Sequence, residues 1–438
     1  MSQPSGPVQH SGAPLRLGIA GLGTVGIGVV KIVQRHADLL AARTGRPIAI
    51  TAICARDRTK NRDADLSGYA WEDSAVALAQ RPDIDIFVEV MGGHEGAARA
   101  SLEAAIANGK DVVTANKALL AHHGQALALA AESAGRIIRF EAAVAGGIPV
   151  IKVLTEGLAG NRLRRVMGVM NGTCNYILTR MESAGLPYDQ VFEEARQLGY
   201  LEADPNLDVG GIDAGHKLAL LAAIAFGTKV SFDDVELEGI GRISIDDIRR
   251  AGDMGYKIKL LGVAQLTGRG LEQRMTPCLV PANSPFGALQ GGTNMVVLEG
   301  DSVGQIVLRG PGAGEGPTAS AVMSDVIEIA RGTRLSTFGQ PAASLATPIA
   351  AKANAPAPYY LRLELLDKPG ALAKVATVLG DEGISIDRMR QYGHENTSAP
   401  VLIVTHKTTR DAITHAISRL PGTSVVQGEP VAIRIEEV

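Results

Sequence analysis

The first feature of this sequence that could do chemistry is a lysine that follows a run of acids. The segment 201–221, LEADPNLDVGGIDAGHKLALL, contains Glu202, Asp204, Asp208 and Asp213 ahead of Lys217. Asp213 and Lys217 are four residues apart, so a helix would place both side chains on one face. Apolar residues cover the rest of that helix, which indicates burial. A buried ammonium group must be offset by anionic partners or lose its proton.

The chemistry that suits such a lysine is proton donation. The upstream carboxylates can hold its charge, and desolvation can lower the pKa of Lys217 toward the working range of a general acid. Hydride delivered to an aldehyde carbon leaves an alkoxide that must be protonated, so this lysine beside a nicotinamide cofactor would serve a carbonyl reductase or alcohol dehydrogenase. A purely structural ion-pair cluster is the alternative that these residues leave open.

A glycine-rich turn supplies the matching cofactor signal. Gly21, Gly23 and Gly26 fit the pattern GxGxxG, with Thr24 and Val25 before the last glycine. The pattern follows an apolar strand and opens a helix, which is the context that dinucleotide binding requires. The glycines would let the backbone approach a pyrophosphate, and the helix N-terminus would offer unpaired N–H groups. A tight structural turn is the alternative.

Cations after the second strand bear on the choice of cofactor. The 2′-phosphate of NADP(H) needs positively charged side chains, whereas the ribose 2′-hydroxyl of NAD(H) is usually bound by Asp or Glu. Arg56, Arg58 and Lys60 are opposed there by Asp57 alone, so we predict NADP(H) as the preferred cofactor and NAD(H) as the alternative. A solvated charged turn would look the same. Lys117, in VVTANKALL, follows another strand at its carboxyl end, where open α/β sheets place ligands, or it is a surface lysine that starts a helix.

The order of the strands and helices that must position these residues predicts an α/β protein of several domains. Strands alternate with helices over residues 15–147, which predicts a Rossmann-type, doubly wound parallel sheet for dinucleotide binding. A second α+β domain is expected over 148–317, with the helix 318–331 packed back on the first domain. Residues 337–357 are rich in Ala and Pro and suggest a linker, and 358–438 have the order βαββαβ of a ferredoxin-like domain. Residues 1–14 suggest a disordered tail.

Composition excludes several classes of partner. The net charge of −3 provides no basic field for nucleic acid. The longest apolar run, 218–226, is far short of the roughly 20 residues that span a bilayer, and the first residues do not resemble a signal peptide. Cys54, Cys174 and Cys278 are widely spaced, which argues against a disulfide framework or a zinc site. We therefore expect a cytoplasmic protein without nucleic-acid or membrane partners.

Taken together, the motifs resemble homoserine dehydrogenase of the bacterial type with a C-terminal ACT domain. The resemblance runs from about residue 15 to the end and is carried by GLGTVGIG, VVTANK, NGTCNYILT, GYLEADPNLDVGGIDAGHK and GAGEGPTAS. It implies reversible reduction of L-aspartate 4-semialdehyde to L-homoserine with NAD(P)H, on the route to threonine, methionine and isoleucine. It also implies that the domain 148–317 binds substrate and dimerises.

The resemblance implies a role for each residue of the acidic segment. Lys217 matches the proton donor of the family, and Glu202 matches the carboxylate that binds the amino group of the substrate. Asp208 and Asp213 match acids that bind substrate or orient the lysine, and Lys117 matches a lysine that contacts cofactor and substrate. These roles are expectations from similarity.

Further sites are implied in the same way. Gly314, in GAGEGP, matches a glycine near the cofactor. Sodium or a similar ion would be held by main-chain carbonyls, which by position are those of Glu141, Val144, Gly146 and Ile148. The ACT domain implies an amino-acid effector, with threonine feedback inhibition as the expectation and a structural dimerisation module as the alternative. A homodimer or homotetramer is implied.

Two other functions stay open at this point. Aspartate-semialdehyde dehydrogenase would acylate a cysteine, for which Cys174 is the candidate, although the sequence shows no obvious base beside it. A protein that kept the dehydrogenase body only to sense an amino acid is the second alternative, and the intact Glu202, Asp213 and Lys217 argue against it.

Overall fold

The computed structural model describes residues 12–201, 204–351, 354–393 and 398–437. The chain forms two compact units, each built from several segments. The first unit contains the chain up to Met170 together with Asp213–Val235 and Thr293–Pro348. The second unit contains Asn171–Ile212, Glu236–Gly292 and Ile349–Val438.

The strands and helices are numbered in chain order. The strands are β1 (Leu15–Ala20), β2 (Ile48–Cys54), β3 (Ala70–Glu72), β4 (Ile86–Glu89), β5 (Asp111–Thr114), β6 (Ile138–Arg139), β7 (Leu163–Val169), β8 (Glu236–Leu237), β9 (Tyr256–Thr267), β10 (Gly270–Pro281), β11 (Thr293–Gly300), β12 (Gly304–Pro311), β13 (Tyr359–Leu366), β14 (Ile386–Gln391), β15 (Ser398–Thr405) and β16 (Val426–Ile435). The α-helices are α1 (Thr24–Arg35), α2 (Ala37–Thr44), α3 (Ala75–Gln80), α4 (Ala97–Ala107), α5 (Lys117–Ser133), α6 (Val150–Lys152), α7 (Gly172–Ala184), α8 (Tyr188–Gln197), α9 (Pro205–Val209), α10 (Ile212–Phe226), α11 (Ile245–Asp253), α12 (Glu315–Ala330), α13 (Ala371–Asp381) and α14 (Arg410–Arg419).

The first unit is built on a parallel sheet with strand order β3-β2-β1-β4-β5-β6. This is the doubly wound arrangement that the sequence predicts, and the prediction is confirmed. The strand order reverses between β1 and β4, and open α/β sheets bind ligands in the crevice at that switch point. The short edge strand β3 is an addition to the predicted elements.

Helix α12 packs against α1 in the first unit. A Cβ on Gly28 of α1 would lie 2.8 Å from the Cβ of Ala319 and 2.8 Å from the carbonyl oxygen of Glu315, so only glycine allows this approach. The helix begins at Glu315, three residues before the predicted start at Thr318, and Pro317 lies in its first turn. Proline is tolerated there because the N–H groups of the first turn have no partner within the helix. In the same unit β11 pairs antiparallel with both β7 and β12.

The second unit contains a sheet with strand order β9-β10-β16-β13-β15-β14. Strands β9 and β10 form a long antiparallel hairpin, and β16 joins β10 in parallel. Residues 359–435 have the predicted βαββαβ order, with a core on which α13 and α14 pack, formed by apolar side chains such as Leu361, Val375 and Ile403. The ferredoxin-like fold of this C-terminal part is confirmed.

The segment predicted as a linker is held by main-chain hydrogen bonds. The amide of Ala342 donates to the carboxylate of Glu132 at 2.9 Å, and the amide of Lys229 donates to the carbonyl of Ala346 at 2.9 Å. Both bonds lie in the first unit. The domain boundaries drawn from the sequence remain a prediction.

Candidate active site

The glycine turn after β1 has the geometry that a dinucleotide site needs. Gly21 has a φ of +105°, and a Cβ there would lie 2.6 Å from the carbonyl oxygen of Val90. A Cβ on Gly26 would lie 1.9 Å from the carbonyl oxygen of Gly21, so α1 starts closer to the turn than a side chain would permit. Apart from its two chain neighbours, none of the described residues has an atom within 4 Å of the Cβ position of Gly23. Two glycines therefore shape the turn, and the third leaves room for a ligand at the start of α1.

A cavity of about 760 Å³ lies against this turn. Its lining includes the predicted residues Gly21, Gly23, Arg56 and Lys60, and also Gly92 and Gly93 after β4. The volume is within the range of small-molecule and cofactor clefts. The cavity therefore fits a dinucleotide at the switch point of the sheet, beside cations that would suit a 2′-phosphate.

The cations around the cavity differ in part from the predicted set. Arg58 bonds to Asp73 at 2.7 Å and lies over the ring of Trp71. Arg62, which the sequence prediction omitted, lines the cavity. Its guanidinium donates to the carbonyl of Leu22 at 3.0 Å, which ties the glycine turn to the loop after β2. The sequence contains no pattern that distinguishes Arg62 from Arg58. Only the fold of the loop decides which of the two side chains lines the cavity.

A second cluster brings Lys117, Asp213 and Lys217 together in the first unit. Nζ of Lys217 lies 2.7 Å from Oδ2 of Asp213 and donates to the carbonyl of Met170 at 2.9 Å. Nζ of Lys117, at the start of α5, lies 2.9 Å from Oδ1 of the same aspartate. The side chains of Asp213 and Lys217 are 7% and 11% exposed, and that of Lys117 is 30% exposed. One carboxylate thus holds two ammonium groups at the edge of a buried helix.

The electrostatics of this cluster favour an ionised Asp213. Burial alone would raise the pKa of this carboxyl group, but the charges of Lys217 and then Lys117 outweigh it and hold its pKa well below the usual range. His216 lies between them in sequence, packs against Phe232 with ring centroids 4.2 Å apart, and is buried. Burial, followed by the nearby His122, lowers the pKa of His216 to about 4. The imidazole therefore adds no positive charge beside the two lysines at neutral pH.

Hydrogen bonds at the ends of β4 and β5 connect the loop after β4, which lines the cavity, to α5, the helix that carries Lys117. Glu89 is fully buried and accepts hydrogen bonds from Thr114 Oγ1 at 2.6 Å and from the amide of Met91 at 2.8 Å. Asn116 caps α5, and its side-chain amide donates to the carbonyl of Gly93 at 2.6 Å. The sequence analysis missed this network, since a glutamate at the end of an apolar strand carries no distinguishing pattern.

The segment predicted to hold a monovalent cation is a buried turn between β6 and α6. Ala145 and Gly146 have φ values of 56° and 54°, and a left-handed alanine is uncommon. The carboxylate of Glu141 accepts from the amides of Ile151 and Lys152, both at 2.9 Å. The carboxylate of Glu141 is therefore engaged by main-chain amides of α6.

The described ranges 12–201, 204–351, 354–393 and 398–437 contain no group of three or more His, Cys, Asp or Glu side chains placed to bind a metal ion. The same ranges contain no helix with the length and apolar character that crossing a membrane requires.

The remaining predicted residues are placed as follows. Asp208 is buried on α9 in the second unit and accepts from the side-chain amide of Asn171 at 3.0 Å. Glu202 lies outside the described residues. Gly314 is the N-cap of α12 with a φ of 116°. Cys174 is fully buried, and its thiol donates to the carbonyl of Asp208 at 3.3 Å, which supports a packing role.

Comparisons with known proteins agree over nearly the whole chain. Three family models match: "Homoserine dehydrogenase, NAD binding domain" over residues 21–141, "Homoserine dehydrogenase" over 149–327 and "ACT domain" over 359–422. A homoserine dehydrogenase of Neisseria gonorrhoeae is 41% identical over 433 residues, which cover 97% of this chain and 99% of the relative. The crystal structure of a homoserine dehydrogenase from Thiobacillus denitrificans is similar with a TM-score of 0.91 at 40% identity, covering 97% of this chain and 99% of that one. A hyperthermophilic archaeal homoserine dehydrogenase in complex with NADPH covers 74% of this chain and 99% of its own, with a TM-score of 0.62 and 26% identity.

Proposed function

The chain belongs to the homoserine dehydrogenase family, and we propose that it catalyses the reversible NAD(P)H-dependent reduction of L-aspartate 4-semialdehyde to L-homoserine. The observation that carries this proposal is the pairing of Asp213 with Lys117 and Lys217 in the unit that also contains the cofactor cavity. An oxidoreductase of this family needs a donor for the alkoxide oxygen, and the cluster supplies ammonium groups held by one carboxylate.

We assign proton transfer to Lys217. When bound, the nicotinamide supplies the hydride. Lys217 donates its Nζ proton to the oxygen of the nascent alcohol and removes it again in the reverse direction. Asp213 holds Nζ by a charge-assisted hydrogen bond, and it holds the ammonium group of Lys117 on its other oxygen. Lys117 is the more exposed of the two lysines, which supports its assignment to contacts with cofactor and substrate.

Glu202 and Asp208 are proposed to bind the substrate. Glu202 would pair with the amino group, and Asp208 would bind a polar group of the same ligand. Asp208 is a buried acidic side chain that accepts a hydrogen bond from the side-chain amide of Asn171, and a carboxylate can accept several hydrogen bonds at once. Exchange of Asp208 for Asn should therefore raise the KM for homoserine more than the KM for the cofactor.

NADP(H) is the proposed preferred cofactor, with NAD(H) as the alternative. The cavity lining contains Arg56, Lys60 and Arg62, opposed by Asp57 and Asp73. Among the similar solved structures, that of the hyperthermophilic archaeal homoserine dehydrogenase is in complex with NADPH, which supports the same preference. Gly21, Gly23, Thr24, Val25 and Gly26 would hold the pyrophosphate, and Gly314 at the start of α12 would lie near the cofactor.

Sodium or a similar cation is proposed to bind the main-chain carbonyls of Glu141, Val144, Gly146 and Ile148. The left-handed conformation of Ala145 in this buried turn supports the proposal, because it costs free energy for a residue other than glycine and persists where the surroundings require it. The ion would hold the turn between β6 and α6 in place.

The regulation, the oligomeric state and the cellular location are proposed from membership of the same family. Threonine would inhibit through the ACT domain, on the route to threonine, methionine and isoleucine. The assembly would be a homodimer or homotetramer in the cytoplasm. Size-exclusion chromatography with light scattering and cell fractionation test these two statements.

A single steady-state experiment tests the proposed function. L-Homoserine oxidation is followed at 340 nm with NADP⁺ and with NAD⁺, each with and without L-threonine. We expect turnover with both cofactors, a higher kcat/KM with NADP⁺, and inhibition by threonine. Absence of homoserine-dependent reduction of either cofactor would overturn the proposal and favour the amino-acid sensor.

A further inference from the structure

Asn294, the second residue of β11, is a buried polar residue to which the proposed reaction assigns no role. Its side chain is only 1% exposed, and its Oδ1 has no hydrogen-bond donor among the described residues. A buried acceptor that has lost water without gaining a donor destabilises the folded protein, and such atoms are uncommon. The oxygen therefore points to a donor that a bound ligand supplies.

The amide group of Asn294 lies against the glycine loop that leads into α12. A Cβ on Gly312 would lie 2.0 Å from Nδ2 of Asn294, so the amide occupies the space that a larger residue at position 312 would need. Gly314, two residues later, is the N-cap of α12, and its N–H groups receive no side-chain cap. The first N–H groups of a helix have no partner within it. Asn294 therefore lies beside the helix start that is proposed to adjoin the cofactor.

The same loop is held from a second direction by the turn before α6. The amide of Gly147 donates to the carbonyl of Pro311 at 3.0 Å. A Cβ on Gly146 would lie 2.4 Å from the carbonyl oxygen of Gly312, so the two backbones approach as closely as glycine allows. The loop beside Asn294 is therefore fixed on both sides, and a fixed surface is what a group that orients a ligand requires.

On its other edge, β11 is paired with the strand that leads to the anchor of Lys217. Met295 of β11 pairs with Val169 of β7 in an antiparallel ladder. The next residue of the chain after β7 is Met170, whose carbonyl accepts from Nζ of Lys217 at 2.9 Å. Asn294 precedes Met295, so it lies at the same end of the ladder as Met170. One asparagine is thus placed beside both the anchor of the proposed proton donor and the loop before α12.

We propose that Oδ1 of Asn294 accepts a hydrogen bond from the carboxamide N–H of the nicotinamide ring. This assignment rests on the proposed function, because hydride transfer requires the ring to lie beside the alcohol carbon whose oxygen Lys217 serves. The carboxamide is the substituent of that ring that donates hydrogen bonds. The side-chain amide of Asn294 is a neutral acceptor, so it adds no charge beside Lys217. The bond fixes the rotation of the ring and therefore the face that it presents to the substrate.

Cofactor analogues that differ at the carboxamide test the assignment on the full-length protein. Calorimetric titration without homoserine measures the Kd of NADP⁺, of its thionicotinamide analogue, which keeps the N–H donors, and of its 3-acetylpyridine analogue, which has a methyl group in their place. We expect the first two to bind with similar affinity and the third about tenfold more weakly, which is the loss of one hydrogen bond. Equal affinity of the wild type for NADP⁺ and the 3-acetylpyridine analogue would overturn the proposal.

Two substitutions locate the acceptor. Asn294→Leu keeps the size of the side chain and removes its oxygen, so it should weaken NADP⁺ about tenfold. The affinities for the 3-acetylpyridine analogue and for 2′,5′-ADP, which has no nicotinamide, should stay as in the wild type. Asn294→Asp keeps an acceptor oxygen and should retain the preference for NADP⁺ over the 3-acetylpyridine analogue. The control Asn108→Leu changes an exposed asparagine at the end of α4 and should bind all four compounds as the wild type does.

The pattern across the compounds decides between binding and a merely structural role. Asn294→Leu protein that binds NADP⁺ as tightly as the wild type, or that loses affinity for NADP⁺ and the 3-acetylpyridine analogue to the same degree, would overturn the assignment. Because these titrations use no substrate, they also separate the assignment from the proposed reaction. If the expected pattern is found in a protein that does not oxidise homoserine, the proposed function fails and Asn294 stands as a nicotinamide-binding residue.

Discussion

Two lysines, one in each unit, occupy buried positions and have different partners. Lys217 is held by the carboxylate of Asp213 and the carbonyl of Met170. Lys259, on β9 and only 2% exposed, donates to the amide oxygen of Asn175 at 2.8 Å and to the carbonyl of Leu289. Burial lowers the pKa of Lys259 to about 8, and the charge of Glu182 opposes this shift without outweighing it. Burial alone therefore does not identify a catalytic lysine, and the partners decide what each one does.

The surroundings of Lys259 indicate a structural role. Asn175 also donates to the carbonyl of Gly291 at 2.6 Å, so the lysine and the amide together anchor the loop that ends at Gly292 against α7. Lys217 differs in that its main side-chain partner is a carboxylate, which it shares with Lys117, a second lysine that is 30% exposed. The comparison predicts that only Lys217 affects chemistry strongly.

The largest expected effect is that of Lys217→Met on turnover. Removal of a general acid typically costs 10²- to 10⁴-fold, and we expect kcat for homoserine oxidation to fall about 10³-fold with the cofactor KM nearly unchanged. Lys259→Met is the matched variant and should keep kcat within about tenfold of wild type. Similar losses of kcat in both variants would remove the distinction between the two lysines.

The second effect is that of Asp213→Asn, which removes the charge that holds both ammonium groups. Without this charge the ammonium group of Lys217 is no longer held in place, and a misplaced proton donor loses a large part of the rate enhancement by acid–base catalysis. We therefore expect kcat to fall about 10²-fold. Exchange of Asp208 for Asn provides the contrast, because it should act mainly on the KM for homoserine. Steady-state kinetics of both variants measure the difference. An unaltered kcat in Asp213→Asn would show that the carboxylate does not position Lys217.

The third effect concerns stability at alkaline pH. The pKa of Lys259 is about 8 in the folded protein and has an ordinary value of 10.5, so between these values the unfolded chain binds more protons. The free energy of unfolding therefore rises with pH across this window, by about 2 to 3 kcal/mol from this group. Urea unfolding of wild type and Lys259→Met from pH 7.5 to 10.5 should differ by this rise, and Lys374→Met, which changes an exposed lysine of α13, should behave as wild type. Parallel pH dependence in wild type and Lys259→Met would contradict this account.

The smallest expected effect comes from giving Lys259 the kind of partner that Lys217 has. Asn175→Asp places a carboxylate where the amide oxygen now lies 2.8 Å from Nζ. The new charge should raise the pKa of Lys259 toward its ordinary value and remove more than half of the alkaline rise. The same urea series measures it. If the rise persists unchanged, partner charge does not distinguish the two lysines.

The sequence predicted the elements whose pattern is local. The parallel sheet and the βαββαβ domain follow from alternating apolar segments, and the Asp213–Lys217 pair follows from helical spacing. The contact of Lys117 with Asp213 could not be predicted, because it joins α5 to α10 across almost a hundred residues. The same holds for Arg62, which replaces Arg58 at the cavity only through the fold of one loop.

Chemical rescue tests the central claim, that Lys217 transfers the proton, most directly. The Lys217→Ala substitution removes a buried side chain from α10 and leaves a cavity beside this helix, which small primary amines can enter. The account predicts that methylamine and ethylamine restore homoserine oxidation in proportion to their concentration, and that tetramethylammonium, which has no transferable proton, does not. A rate that is independent of amine in a folded variant with normal cofactor binding, or a Lys217→Ala enzyme that turns over at the wild-type rate, would contradict it.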